Sequence, residues 1–314
     1  MVINDCSPEP ELTVRLRELS QVLPFTLIEN KSNLGFVQTV NKGMRISNKN
    51  DVLLLNSDTV VTSYWLDRIL ETAASDSSIG TVTPFSNNAT ICSYPRFCAD
   101  NELPSSATLE ELAAVVSQNE GIVDLPTAHG FAMFIKREAL DEVGLFDDQK
   151  WGKGYAEEND FSLRASRLGW RNVMATNAFV HHLGSVSFAE DSESFIAKNL
   201  QKLNGIYPDY SLSVQRFIAE DPIRLHRNNI ALSLMESEVS KLENLTDEYQ
   251  GSYLFASLSI GGGTGLLQMI YLSYISKISV LYLCWCALEK IAGNSGVKLI
   301  IVWLNTTFLK SENL

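Results

Sequence analysis

Residues 129–147 read HGFAMFIKREALDEVGLFD, residues 154–170 read GYAEENDFSLRASRLGW, and residues 179–188 read FVHHLGSVSF. In these runs acids and histidines stand at the ends of apolar stretches, the places from which strands deliver polar side chains into a crevice. Upstream, the apolar run Val52 to Leu55 passes directly into Asn56, Ser57, Asp58 and Thr59. A buried strand therefore ends at a carboxylate. Ligands of open α/β sheets lie outside the carboxyl ends of the strands, so Asp58 stands where a metal ion or a phosphate would be met. A competing reading makes Asp58 the cap of a helix beginning near Tyr64, because Asp and Asn commonly punctuate the passage from strand to helix.

Working outward, residues 1 to 200 alternate between strand and helix spacing. Val2 and Ile3 run into Asn4 and Asp5. SPEPEL then supplies a Ser cap with Pro and Glu in a first turn, and Leu12 to Val22 has helical apolar spacing. Phe25 to Ile28 reads as a short strand, and Phe36, Val37, Val40, Met44 and Ile46 as a helix face. The Val52 strand follows, then a helix through Trp65, Leu66, Ile69 and Leu70, then a strand from Ile79 to Thr83. This is the pattern of an α/β sheet. Residues 84 to 127 are less regular, with one helical stretch near Leu109 to Val116, and read as a substrate-facing insertion or long loop. Glu157 to Leu168 predicts a helix with Gly169 as its stop.

The chain has 314 residues, 45% hydrophobic and 20% charged, enough for one large core or two smaller ones. A net charge of −12 and a pI near 4.9 argue against a general nucleic-acid binder, which needs clustered Lys and Arg. Cys6, Cys92, Cys98, Cys284 and Cys286 form an odd set without CxxC spacing, so neither a disulfide framework nor a zinc site is favoured. A reducing cytoplasm fits, and the polar N-terminus does not read as a secretory signal.

Three domains are expected: 1–190, a helical connector over 191–250, and an apolar unit over 251–314. Tyr253 to Leu288 carries a single charge, Lys277. One reading is a membrane segment. Against it, GGGTG at Gly261 to Gly265 and Lys277 cut the stretch into pieces shorter than the roughly 20 residues a span requires. The other reading is a βαβ unit: strand Tyr253 to Ile260, helix Leu266 to Ile275, strand Ile278 to Leu283.

The runs ENKSNLGFVQTVNKGM (29–44), NSDTVV (56–61), GFAMFIKREALDEVGLFD, AEENDFSLRASRLGW and FVHHLGSVSF together resemble, in order, the landmarks of glycosyltransferase family 2. Members of that family are inverting enzymes with a GT-A nucleotide-diphospho-sugar fold, and the resemblance is strongest to bacterial members that build rhamnose-containing and other surface polysaccharides. The resemblance implies that Asp58 is the acid of a shortened metal motif in which Asn56 takes the place of the first Asp. Asp58 would hold Mg²⁺ or Mn²⁺ with the donor diphosphate, joined by His182. His181 would point to the other face, since strand neighbours alternate.

By the same resemblance Asp5, Asn33, Gly35, Gly130 and Arg164 belong to the nucleotide-sugar site. Glu158 is the first candidate for the base that takes the acceptor proton, with Glu where the family has Asp. Asp160 is the second. From the residues alone, Glu157, Glu158 and Asp160 also read as acids complementing the positive end of a helix dipole.

The implied partners are a UDP- or dTDP-sugar donor and a glycan or lipid-linked glycan acceptor, met in the cytoplasm or at the inner face of the membrane. Family members begin with a further strand upstream of the place of Val2, so the resemblance implies an incomplete sheet with an unpaired edge. GGGTG resembles the opening of a second, truncated glycosyltransferase domain. The alternative expectation is a nucleotide-binding remnant or scaffold without turnover.

Overall fold

Strand and helix alternate through the computed structural model, which describes residues 1–103, 107–152, 154–184, 192–245, 256–258 and 267–269. In chain order the elements begin β1 (Val2–Asn4), α1 (Pro10–Val22), β2 (Leu27–Glu29), α2 (Phe36–Ile46), β3 (Val52–Leu55), β4 (Thr59–Val61), α3 (Trp65–Ala74) and β5 (Ile79–Phe85). They continue with α4 (Leu109–Val116), β6 (Ile122–Asp124), β7 (Ala132–Ile135), α5 (Arg137–Val143), α6 (Asp148–Trp151), α7 (Glu157–Arg167) and β8 (Arg171–His182). Last come α8 (Ser192–Ile206), α9 (Tyr210–Glu220), α10 (Arg224–Leu245), β9 (Ala256–Leu258) and β10 (Leu267–Met269). Pro10 opens α1, as expected, but Ser7 does not cap it: Glu9 takes the cap position, and the Ser7 N–H donates to Asn4 Oδ1 at 3.0 Å.

The main sheet runs β3-β7-β5-β8-β4, with β6 added along β8. It is mixed: β5 and β8 are parallel, while β3 with β7, β5 with β7, and β4 with β8 are antiparallel. Alternation along β7 divides the core. Met133 and Ile135 join Val37, Met44, Phe146 and Phe161 under α2, α5 and α7, whereas Phe134 joins Ile69, Ile79, Val82 and Val173 under α3. Every residue of β5 is buried, which accounts for its nearly continuous apolar reading.

β1 and β2 form a separate parallel pair. Asn56 N–H donates to Phe131 O at 2.9 Å, so by alternation the backbone groups of Leu53 and Leu55 face away from β7. Among the described strands nothing pairs with that edge of β3 or with the edge of β1 away from β2.

The chain divides into two compact units, Met1–Ile230 and Ala231–Leu314. The helices expected as a connector from residue 191 begin inside the first unit, because Leu203 and Tyr207 bury themselves against Trp151 and Ala156. In the second unit, Leu267–Met269 is a strand paired antiparallel with Ala256–Leu258, not the start of the expected helix. A short apolar run reads equally as strand or helix, and here the strand pairing decides. The expected Ile278 to Leu283 strand, the GGGTG run and most of Tyr253 to Leu288 lie outside the described residues. No helix among the described residues is long and apolar enough to cross a membrane.

Candidate active site

Asp58 caps no helix. The strand β4 and then Thr62, Ser63 and Tyr64 separate it from α3, whose first residue is Trp65 and whose cap position is Tyr64. β4 pairs antiparallel with the end of β8 in the register Thr59 with His182, and Leu183 N–H donates to Asp58 O at 2.9 Å. That register sets two side chains distant in sequence beside each other: His182 Nε2 lies 3.3 Å from Asp58 Oδ2. His182 faces the cavity while His181 does not, as alternation requires.

The His182 ring is held from behind and from the side. Its Nδ1 lies 2.7 Å from the Asn88 carbonyl oxygen, and its face stacks on Phe131 at 5.3 Å between centroids. Phe131 also meets His129 edge-on, and His129 Nε2 lies 2.7 Å from Thr90 Oγ1. Burial, helped by the neighbouring His182, pulls His129 down to about 4, so it stays neutral through the physiological range. His129 was not singled out from the sequence. It opens the first of the three quoted runs, but its place beside β8 depends on the pairing of strands far apart in the chain.

Asp5, Asn33 and Gly35 do come together. Asp5 accepts hydrogen bonds from Leu34 N–H (2.9 Å), Gly35 N–H (2.8 Å) and Asn30 Nδ2 (2.7 Å), and Asn33 Nδ2 donates to the Asp5 carbonyl at 3.1 Å. Burial opposes its charge, but these donors outweigh burial and hold its carboxyl below the usual range. Gly35 has φ of 81°, a conformation glycine adopts without strain. Asp5 is thus the anchor of the loop entering α2, and the cavity reaches it from the other side.

Helix α7 sorts the acids. Successive residues turn 100° about a helix, so Glu158 and Asp160 stand about 200° apart and cannot face the same way. Glu158 faces the cavity. Its Oε2 is buried without a hydrogen-bond partner, and a Cβ on Gly130 would lie 3.7 Å from its carboxyl carbon, so glycine there leaves the group uncovered. Burial first, and the adjacent Glu157 charge second, push the Glu158 carboxyl up to about 8, and burial also raises Glu157. The turn into α7 is strained, with Tyr155 at φ 65° and Ala156 at φ 151°.

Asp160 and Arg164 lie away from this cavity. Asp160 is fully buried, accepting from Arg164 Nε at 2.9 Å and from the Tyr207 hydroxyl at 2.8 Å. Arg164 also donates to the carbonyls of Val143 (2.7 Å) and Leu145 (2.9 Å). Together they fasten α7 to the chain after α5 and to Tyr207, just beyond α8. The structure therefore gives Asp160 and Arg164 places in the packing of α7, and neither lines this cavity.

One cavity of about 840 Å³ takes in Asp5, Asn56, Asp58, Gly130, Glu158 and His182 at its polar end. Its other end is an apolar trough between the open edges of β1 and β3, floored by Phe36, Val40 and Met44 of α2. Among the described residues no three acids, histidines or cysteines cluster as a complete metal cage. Asp58 and His182 nevertheless fit a divalent cation that draws its remaining ligands from a diphosphate and water, the way Mg²⁺ is usually held. Two neighbouring ligands of an octahedral ion at about 2.1 Å lie about 3 Å apart, close to the observed separation.

No curated protein matches the chain. Among solved structures it is similar to GalNAc-T7 with UDP, GalNAc and Mn²⁺, at 17% identity and TM-score 0.48 over 67% of this chain and 43% of that one. It is also similar to the mannosyltransferase PcManGT from Pyrobaculum calidifontis in complex with GDP-Man and Mn²⁺, at 14% identity and TM-score 0.47 over 76% of this chain and 65% of that one. A third is S. aureus TarS 1-349, at 13% identity and TM-score 0.41 over 88% and 89%. The chain thus spans less than two thirds of the first two proteins. Residues 16–202, more than half of the chain, match the family described as Glycosyltransferase like family 2. With its mixed sheet, its flanking helices and that match, the chain has a GT-A type fold and belongs to glycosyltransferase family 2.

Proposed function

We propose that the chain transfers a sugar from a nucleotide diphosphate to a glycan acceptor, with inversion, at the polar end of this cavity. The observation that carries the reading is convergence: Asp5, Asp58, Glu158 and His182, from four separate elements, meet in one cavity. Asp58 and His182 would hold a divalent cation, which supplies positive charge to the departing diphosphate. Asp5 and the loop of Asn33 and Gly35 flank the nucleotide. Glu158 in its ionised form takes the proton of the acceptor hydroxyl as that oxygen bonds to the anomeric carbon and the bond to the diphosphate breaks. One displacement gives inversion. A surface glycan, a UDP or dTDP donor and a cytoplasmic site at the membrane face are the substrates and place this reading favours.

Purified protein is expected to gain stability when Mn²⁺ is added with UDP, dTDP or GDP, by about 2.7 kcal/mol at a hundredfold excess over Kd. Asp58→Ala should lose the nucleotide-dependent part of that gain and keep its own melting temperature. Thermal melts across the nucleotides check this, and no shift with any of them would remove the donor site. One feature favours a second reading, binding without turnover: burial and the adjacent Glu157 charge raise the Glu158 carboxyl, which opposes its work as a base. That reading gives the stabilisation without sugar transfer at any pH.

A further inference from the structure

The 84–127 segment, irregular in sequence, folds its first part tightly against the end of β8. Because Leu183 N–H bonds to β4, alternation turns the His182 N–H and C=O away from β4. Asn87, 5% exposed, meets both. Its Oδ1 accepts from His182 N–H at 2.8 Å, and its Nδ2 donates to His182 O at 3.0 Å. A side-chain amide thus pairs with β8 beyond the point where β5 ends. The Asn87 carbonyl in turn accepts from Asn101 N–H (3.2 Å) and Asn101 Nδ2 (3.0 Å), and Asn101 is tied to Arg96 and Ala99.

The next residue fixes the ring. Asn88 O is a carbonyl and can only accept, so the 2.7 Å contact requires that His182 Nδ1 carry the proton. In the neutral ring it is then Nε2 that carries the lone pair, and Nε2 faces Asp58 Oδ2. Gly184, with φ of 63°, crosses Asn88 so closely that a Cβ there would lie 1.9 Å from Asn88 Nδ2. Any other residue there would push the Asn88 side-chain amide aside.

We infer that Asn87 and the Asn88 carbonyl are a clamp that presets the tautomer and direction of His182, making Asn87 a positioning residue for the cation site. Its value to catalysis rests on the reading of Asp58 and His182 as cation ligands, but the tautomer it sets exists in the free protein. Hydrogen bonds of this kind behind a ligating histidine are generally worth 10- to 100-fold in metal affinity.

Long-range ¹H–¹⁵N spectra of histidine-labelled protein without metal, at pH 8, should show His182 as the Nδ1–H tautomer, assigned by its loss in His182→Ala. Asn87→Ala should give a mixture of tautomers and weaken Mn²⁺ binding by about 10- to 100-fold in calorimetry. Should Asn87→Ala fold poorly, Asn87→Ser keeps one polar group at that place, is too short to meet both the His182 N–H and C=O, and should give the same mixture of tautomers. An Nε2–H tautomer or an imidazolium in the wild type, or no change in either variant, overturns the clamp. A preset tautomer that both variants disturb, in a protein that binds no Mn²⁺, upholds the clamp and removes the cation reading instead.

Discussion

Glu158→Gln is expected to lower sugar transfer by about 10²- to 10⁴-fold, the usual contribution of a positioned base, while making the protein more stable at alkaline pH. The two effects have one cause. Burial and Glu157 raise the folded-state carboxyl of Glu158 to about 8 from its ordinary 4.5. Between those values the folded state binds more protons than the unfolded one, so stability is fully present below the lower value and declines as pH climbs through the upper. Glutamine has nothing to titrate and escapes the decline. Melts from pH 5 to pH 9 should therefore show wild type and variant diverging, with the variant higher at pH 9. Transfer by the wild type should rise towards a plateau above about pH 8, as the base loses its proton. A variant that kept its transfer rate would remove Glu158 from the chemistry.

Asp160→Ala should do the reverse, costing about 3–5 kcal/mol of stability as a broken buried ion pair does, with nucleotide binding per folded molecule unchanged. It strips the Arg164 guanidinium and the Tyr207 hydroxyl of their shared acceptor. Urea denaturation read beside nucleotide binding separates the two effects. A stable, fully folded Asp160→Ala that binds donor and cannot transfer would make Asp160 the base after all.

The contrast between these acids shows what the sequence could and could not carry. The helix over Glu157 to Arg167 was legible from its spacing, and the 200° between Glu158 and Asp160 follows from helix geometry alone. Which of the two faces a ligand does not. That depends on Tyr207, whose contact with Asp160 joins residues widely separated in the chain. Asp58 was legible as a strand end, yet β4 was not, because Thr59–Val61 is three residues long and has no periodicity to read. Its pairing with β8 is nevertheless what brings His182 to Asp58. Asn87 escaped for the same reason: an Asn in an irregular stretch reads as a turn residue until the strand it completes is in place. Leu267–Met269, expected as part of a helix over Leu266 to Ile275, is a strand because a short apolar run reads equally as strand or helix.

The strained entry to α7 bears on how this chain can change. Two consecutive residues in conformations that cost on the order of 1–3 kcal/mol each are a standing invitation to mutation, since glycine at either place would relax them. Such a change would read as an improvement in any selection for melting temperature, and it would also unlock the turn that aims Glu157 and Glu158. Thermostabilised descendants of this chain should therefore trade away catalytic rate first at Tyr155 and Ala156, so durability and turnover compete there for the same two residues.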